Sequence, residues 1–220
     1  MYFDPAVSGM KPEPFKYTVY NALVVPRPIG WISTVSTDGV INLAPFSFFN
    51  SLSADPPCVM FCPNGVKPGT DERKDSLTNV EATGEFVYNM CTTELGEAMI
   101  RTAVHEPASV DEMAAAGLTA VACEKVKPPR IGESPIALEC KYLQTVTLPK
   151  PKHGAQSQLV LGEVVGIHIA DEMIVDGKVD VRKVRPLARL GYLEYATIEP
   201  ENVFSMRAPD NHRFDRKPAE

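Results

Sequence analysis

Two stretches of the chain carry side chains whose types and spacing could do chemistry. The first is Arg73-Lys74-Asp75-Ser76. Two cations precede a helix predicted over Ser76 to Thr83, with Asp75 as its N-cap and Gly84 as its stop. Free N–H groups and the positive end of the helix dipole favour an anion there, and Arg73, Lys74 and the Ser76 hydroxyl would strengthen its hold. The second stretch runs from Arg27 to Asn50. In its first half Trp31, Ser33 and Val35 share one face, and Ile32, Thr34 and Ser36 share the other. Its second half ends in Ala44-Pro45-Phe46-Ser47-Phe48-Phe49-Asn50. Hydroxyls set among large apolar groups suit a flat, mostly apolar ligand with polar edges. The plain structural alternatives are a solvated charged turn for the first stretch and a half-buried edge hairpin for the second.

Other chemistry is missing. There is no P-loop, no GxGxxG and no GxSxG pattern. His105, His153, His168 and His212 have no neighbours at metal-ligand spacing. Cys58, Cys62, Cys91, Cys123 and Cys140 form no CxxC pair, so no metal site is expected and the thiols read as reduced and mostly buried. His168 sits in an apolar strand and reads as a core or interface histidine. His153, between Lys152 and Gly154, reads as part of a solvated loop. No paired carboxylates and no nucleophile–base set can be placed. A catalytic protein of this kind needs a borrowed cofactor, and no catalytic side chain is expected.

The elements that must position these residues read as β-rich. Asp38-Gly39 between two β-prone runs is a hairpin signal. Strands are predicted over Cys58–Cys62, Glu85–Cys91, Leu118–Val126, Ile136–Leu148 and Gln158–Ala170, where Leu159, Leu161, Val165, Ile167 and Ile169 share a face. Tyr17 to Val25 reads as a first strand or its approach. A helix is predicted from Thr93 to about Val104, and Ser109-Val110-Asp111-Glu112 reads as a capping box for a short helix that Gly117 closes. Pro45 suits an edge or a break in strand pairing, where a ligand can reach free backbone groups. Many short strands with few helices favour a barrel, which removes exposed edges.

The chain has 220 residues, 44% of them hydrophobic. That is enough for one large domain with a real core. Residues 1–16 read as an irregular Pro-rich arm, 17–201 as the domain and 202–220 as a polar tail. No apolar run is long enough to span a membrane, and the N-terminus lacks the features of a signal peptide, so a cytoplasmic protein is expected. The formal net charge of −6 argues against nucleic acid as a partner.

The phrases PRPIGWIST, INLAPFSFFN, ADPPCVMF and RKDSLTNVEATGEFVYN, in that order, resemble the flavin reductase-like family of FMN-binding split barrels, which includes flavoredoxin-like proteins. The resemblance runs from about Tyr20 to Asn89 and resumes near Gly162 to Tyr192. It implies a six-stranded Greek-key split barrel and a homodimer with flavin sites beside the subunit interface. It implies FMN as cofactor and NADH or NADPH as electron donor. Trp31, Ser33, Thr34, Asn42, Ala44, Pro45, Phe46 and Ser47 become candidates for the isoalloxazine and ribityl chain, and Arg73, Lys74 and Ser76 for the phosphate. Arg189 and Tyr192 belong to a further family phrase, in which a second glycine commonly stands where this chain has Tyr192. His153 becomes a minor candidate for a place near the nicotinamide. The activity implied is hydride transfer from NADH or NADPH to FMN, with electrons passing on to an acceptor protein or a monooxygenase partner. The alternatives are an electron-transfer protein that retains FMN and a flavin-binding module without turnover.

Overall fold

A computed structural model describes residues 1–67, 69–152 and 154–206. His153 and the end of the tail lie outside the described residues, so the expectations placed on them are untouched.

Seven main strands build one antiparallel sheet: β1 (Gly30–Val35), β2 (Ile41–Phe46), β3 (Phe49–Ala54), β4 (Pro57–Phe61), β5 (Glu85–Met90), β6 (Ile136–Thr147) and β7 (Gln158–Ile169). Their order across the sheet is β2-β1-β5-β6-β7-β4-β3. The two outermost strands, β2 and β3, are consecutive in the chain and separated only by Ser47 and Phe48. The sheet therefore curls until its two edges meet through one interrupted strand. Counting β2 and β3 as that strand gives six positions, a split barrel, as expected.

The curl is visible in the core. Ile32 of β1, Phe49 of β3, Val59 and Phe61 of β4, Phe86 and Tyr88 of β5, Cys140 of β6 and Val160 and Val164 of β7 form one buried cluster. Residues from both halves of the sheet meet there: the Phe61 and Phe86 rings lie 5.3 Å apart, edge to face, and those of Phe49 and Tyr88 stack at 4.4 Å. Each such buried aromatic contributes roughly 1.5–3 kcal/mol. Gly162 permits this packing, because a Cβ on it would lie 2.4 Å from the Phe86 ring.

Helix α1 (Asp75–Thr83) covers one face of β1, with Leu77 and Val80 buried in the barrel core. Gly84 ends it in the left-handed conformation, φ 74°, donating to the Val80 carbonyl, as its sequence position predicts. The opposite side of β1 packs against α2 (Gly96–Arg101) and α3 (Glu112–Ala115), where Trp31, Leu43, Met99, Met113 and Ile131 form a second cluster. The β1–β2 hairpin turns at Ser36–Gly39, where Gly39 takes φ 86° and Ser36 Oγ accepts from Val40 N at 3.1 Å.

Several local expectations change. Tyr17 to Val25 holds a one-turn helix, Tyr20–Leu23, and strand pairing begins only at Arg27–Pro28, against Leu187–Arg189. Leu118–Val126 contributes just Ala120–Val121 to a strand. The capping residue of α1 is Lys74; Asp75 is helical. The capping residue of α3 is Asp111, whose carboxylate accepts from Ala114 N at 2.9 Å. In β7 the ladder slips at Leu161/Gly162 and again at Val164/Gly166. The buried residues are Val160, Gly162 and Val164, so the strand alternates with the opposite phase to that expected and Leu159 and Leu161 lie outside that core; the slip at Val164/Gly166 leaves Val165 as the extra residue.

Candidate functional site

The interruption of the barrel strand opens into a cavity of about 340 Å3. One wall is β2 and the break that follows it, contributing Asn42, Ala44, Pro45, Phe46, Ser47 and Phe48. Pro45 stands opposite Trp31 in the ladder and has no N–H to offer it. Beyond the break, Phe48 is held from two sides. Its carbonyl accepts from Cys62 N at 2.9 Å, and the Arg27 guanidinium lies 5.7 Å from its ring centre.

The opposite wall is cationic. It brings together Lys67 from the loop after β4, Lys74 at the start of α1 and His105 from the segment after α2. Lys74 Nζ lies 3.2 and 3.3 Å from the two ring nitrogens of His105. Burial and the Lys67 charge lower the Lys74 pKa. Burial, then Lys74 and Lys67, lower that of His105. Lys67 Nζ is paired with Asp75 Oδ1 at 2.8 Å, so Asp75 holds Lys67 in place. Both groups are thus shifted against their charged forms, by burial first and by neighbouring cations after it, with Asp75 opposing. The Ser76 hydroxyl, buried at the first turn of α1, accepts from Asn42 Nδ2 at 2.8 Å and ties that turn to β2.

Between the walls lies Glu112, 7% exposed. Its Oε2 accepts from Leu43 N at 2.9 Å, fixing β2 between Asn42 and Ala44. Burial pushes its pKa up to about 7, helped by the Asp75 and Asp111 charges and opposed by the Leu43 N–H.

Of the residues singled out in the sequence, Asn42, Ala44, Pro45, Phe46, Ser47, Lys74 and Ser76 meet at this cavity. The others lie elsewhere. Trp31 is fully buried behind the wall, donating from Nε1 to Thr102 Oγ1 at 2.9 Å. Ser33 donates to the Pro129 carbonyl at 2.6 Å, and Thr34 accepts from Asn79 Nδ2 at 3.1 Å; both are buried between layers. Arg73 pairs with Glu81 at 2.7 Å on the outer side of α1. Arg189 donates to the Tyr195 hydroxyl and to the Tyr192 carbonyl, and neither Arg189 nor Tyr192 lines the cavity. Sequence reasoning missed Lys67, His105 and Glu112 as cavity residues. Lys67 and His105 stand in loops without periodicity, and the Glu112 contact spans 69 positions.

Comparison with known proteins agrees with this architecture. Residues 22–185 match the flavin reductase like domain. An uncharacterized protein of Aquifex aeolicus is 39% identical over 176 residues, 80% of this chain and 86% of its own. The crystal structure of nitrilotriacetate monooxygenase component B from Bacillus cereus superposes with a TM-score of 0.82 at 28% identity, covering 94% of this chain and 98% of that one. The 2-nitrobenzoate 2-nitroreductase of Pseudomonas fluorescens gives 0.77 at 27% identity, covering 96% and 98%. With three quarters of the chain matched in register and the split barrel shared, the protein belongs to the flavin reductase-like family.

Proposed function

We propose that the cavity binds FMN and that the protein is an oxidoreductase in which NADH or NADPH reduces the bound flavin. One observation carries this reading: a half-buried, mostly apolar wall with an interrupted backbone faces a cationic corner inside a single cavity of ligand size. The residues present fit the group. Lys67, Lys74 and the first turn of α1 would hold the phosphate. Asn42 and Ser47 would hold the polar groups of the chain and ring edge, and Ala44, Pro45 and Phe46 would meet the apolar ring. The absence of an adenine-binding fingerprint in the sequence favours FMN over FAD.

When bound, FMN supplies the hydride-accepting chemistry. The chain's part is to bind, orient and exclude water. Glu112 fixes the backbone of β2 through Leu43 N, and Arg27 and Cys62 fix Phe48. Arg73, Trp31, Ser33 and Thr34 keep supporting roles outside the cavity. The similarity to a monooxygenase component and to a nitroreductase supports onward delivery of electrons, to a partner protein or to a small acceptor. A homodimer is part of the proposal. Tyr17 packs 5.7 Å from Tyr192, and with Leu23 and Leu193 it leaves apolar side chains exposed near Asn21, which lines the cavity.

Anaerobic stopped-flow tests the reading. FMN-loaded protein mixed with NADH or NADPH should lose its oxidised flavin band within seconds. Reduction by dithionite but by neither nicotinamide over minutes would remove the reductase activity and leave an electron-transfer protein. No saturable binding of FMN would remove the whole reading.

A further inference from the structure

Cys123, Glu139 and His168 come from three distant parts of the sequence and converge on the far side of the β6–β7 pair. Their donor atoms, a thiol sulfur, a carboxylate oxygen and a ring nitrogen, all lie within 4.8 Å of one another. None of the three lines the flavin cavity. The proposed reaction leaves them unused.

The cluster is built. Glu139 is 1% exposed, and both of its oxygens are aimed by backbone donors: Oε1 accepts from Glu124 N at 3.0 Å and Oε2 from Lys125 N at 2.6 Å. Burial works to raise its pKa, but these bonds and His168 outweigh it and keep the carboxylate ionised. His168 Nε2 meets Oε1 at 2.6 Å. The bulge at Val164/Gly166 sets the register that brings Gly166 opposite Glu139. A Cβ on Gly166 would press to 3.0 Å from the Glu139 carboxyl carbon, so glycine leaves that carboxylate its room. Beside the cluster opens a second cavity, of about 350 Å3, lined by Arg130, Ser134 and His168 among others.

We propose that Cys123, Glu139 and His168 form a binding site for a first-row divalent cation, Zn2+ above all, with its fourth coordination position left to water. One thiolate, one imidazole and one carboxylate is a borderline-soft donor set, and three protein ligands with an open position is a recurrent zinc arrangement. At ligand distances of about 2.0–2.3 Å, tetrahedral geometry separates donors by roughly 3.3–3.7 Å. The sulfur, within 4.8 Å of both other donors, closes the remainder as the cation binds. The His168–Glu139 pair must open by about 0.7 Å as the cation takes the place of the proton between them. Binding releases one proton to solvent, from the Cys123 thiol; His168 coordinates through Nε2 as the neutral ring, and the proton it shared with Glu139 passes by way of solvent to Nδ1. Because the thiol must lose its proton to coordinate, affinity rises with pH.

Titration of the reduced full-length protein with Co2+ tests the site. One Co2+ per chain should give tetrahedral d–d bands and a thiolate-to-cobalt charge-transfer band, which Zn2+ then displaces. Cys123→Ser should abolish the charge-transfer band, and His168→Ala should weaken binding at least about tenfold. Cys58→Ser, at a thiol outside the cluster, should change neither. X-ray absorption of the Zn2+-loaded wild-type protein should show one sulfur among otherwise nitrogen and oxygen neighbours, which keeps the test valid if a variant misfolds. Absence of saturable binding, a charge-transfer band that survives Cys123→Ser, or a sulfur-free shell overturns the proposal. The result is independent of whether FMN binds.

Discussion

Replacing Glu112 with glutamine should stabilise the protein, by an amount that grows as pH rises from 4.5 to about 7 and is constant above it. Glu112 is buried, and its pKa is raised from 4.5 to about 7, by burial first and by Asp75 and Asp111 after it. In the unfolded chain it ionises near its ordinary value. Between 4.5 and about 7 the folded state therefore keeps a proton that the unfolded state has lost, and stability falls as pH rises. Above about 7 both states are ionised and the full penalty stands. At about 1.4 kcal/mol per pH unit it amounts to about 3 kcal/mol. Glutamine has no proton to lose and keeps an oxygen for the Leu43 N–H, though a neutral acceptor is weaker by roughly 0.5–1.5 kcal/mol. The net expectation is a gain of about 1–3 kcal/mol at pH 8 and no gain, or a small loss, at pH 5. Urea denaturation of flavin-free wild type and Glu112→Gln at several pH values measures it. Subtracting the two curves cancels other titrating groups that the substitution leaves unperturbed. A difference that does not change with pH, or a loss of stability at pH 8, would refute the reasoning.

Lys74→Ala should weaken FMN binding by about 1.5–3 kcal/mol, the range for hydrogen bonds to a charged group, and leave riboflavin almost unaffected; equal losses in fluorescence titrations would mean that Lys74 acts through folding. Trp31→Phe should lower stability by roughly 1–3 kcal/mol, through lost packing and the lost Nε1 bond to the Thr102 hydroxyl, which keeps its own bond to the Met99 carbonyl, while FMN affinity stays within about twofold; calorimetry and titration together decide, and a selective loss of affinity would put Trp31 back at the ligand. FMN binding at pH 7 should draw part of a proton onto His105: burial first, then Lys74 and Lys67, lower its pKa, and a phosphate beside the two lysines counters the repulsive part; calorimetry in buffers of different ionisation enthalpy should show this uptake in wild type and its loss in His105→Gln.

What the sequence made legible was local. Asp38-Gly39 located the hairpin, Gly84 ended α1 where the helix stops, and the runs over residues 58–62, 85–91 and 136–148 became β4, β5 and β6 within a residue or two. The candidate residues that meet at the cavity belong to two contiguous phrases, around Pro45 and around Lys74. Alternation could not tell which face of β1 a ligand would take, because neither face is free. β1 lies between β2 and β5, with α1 on one side and α2 and α3 on the other. Its hydroxyls at Ser33 and Thr34 satisfy buried backbone and amide groups between those layers. The rest was hidden by separation along the chain. Lys67 and His105 join Lys74 only through the fold, and His168 stands 29 positions from Glu139.

The cavity exists because the barrel is left open at one point, and the residues around that point do not favour their own isolation. A fully closed ladder would pair every strand and leave no entrance. Here Pro45 withholds an N–H just before Ser47 and Phe48 interrupt the strand, and the break is braced from outside by Arg27 and Cys62. Lys74 and His105 both resist protonation, and Glu112 resists ionisation. All three groups are thus shifted against their charged forms, in each case by burial first. An anion in the cationic corner would offset the mutual repulsion of Lys67, Lys74 and His105 and leave Glu112, further along the wall, to hold β2 in place.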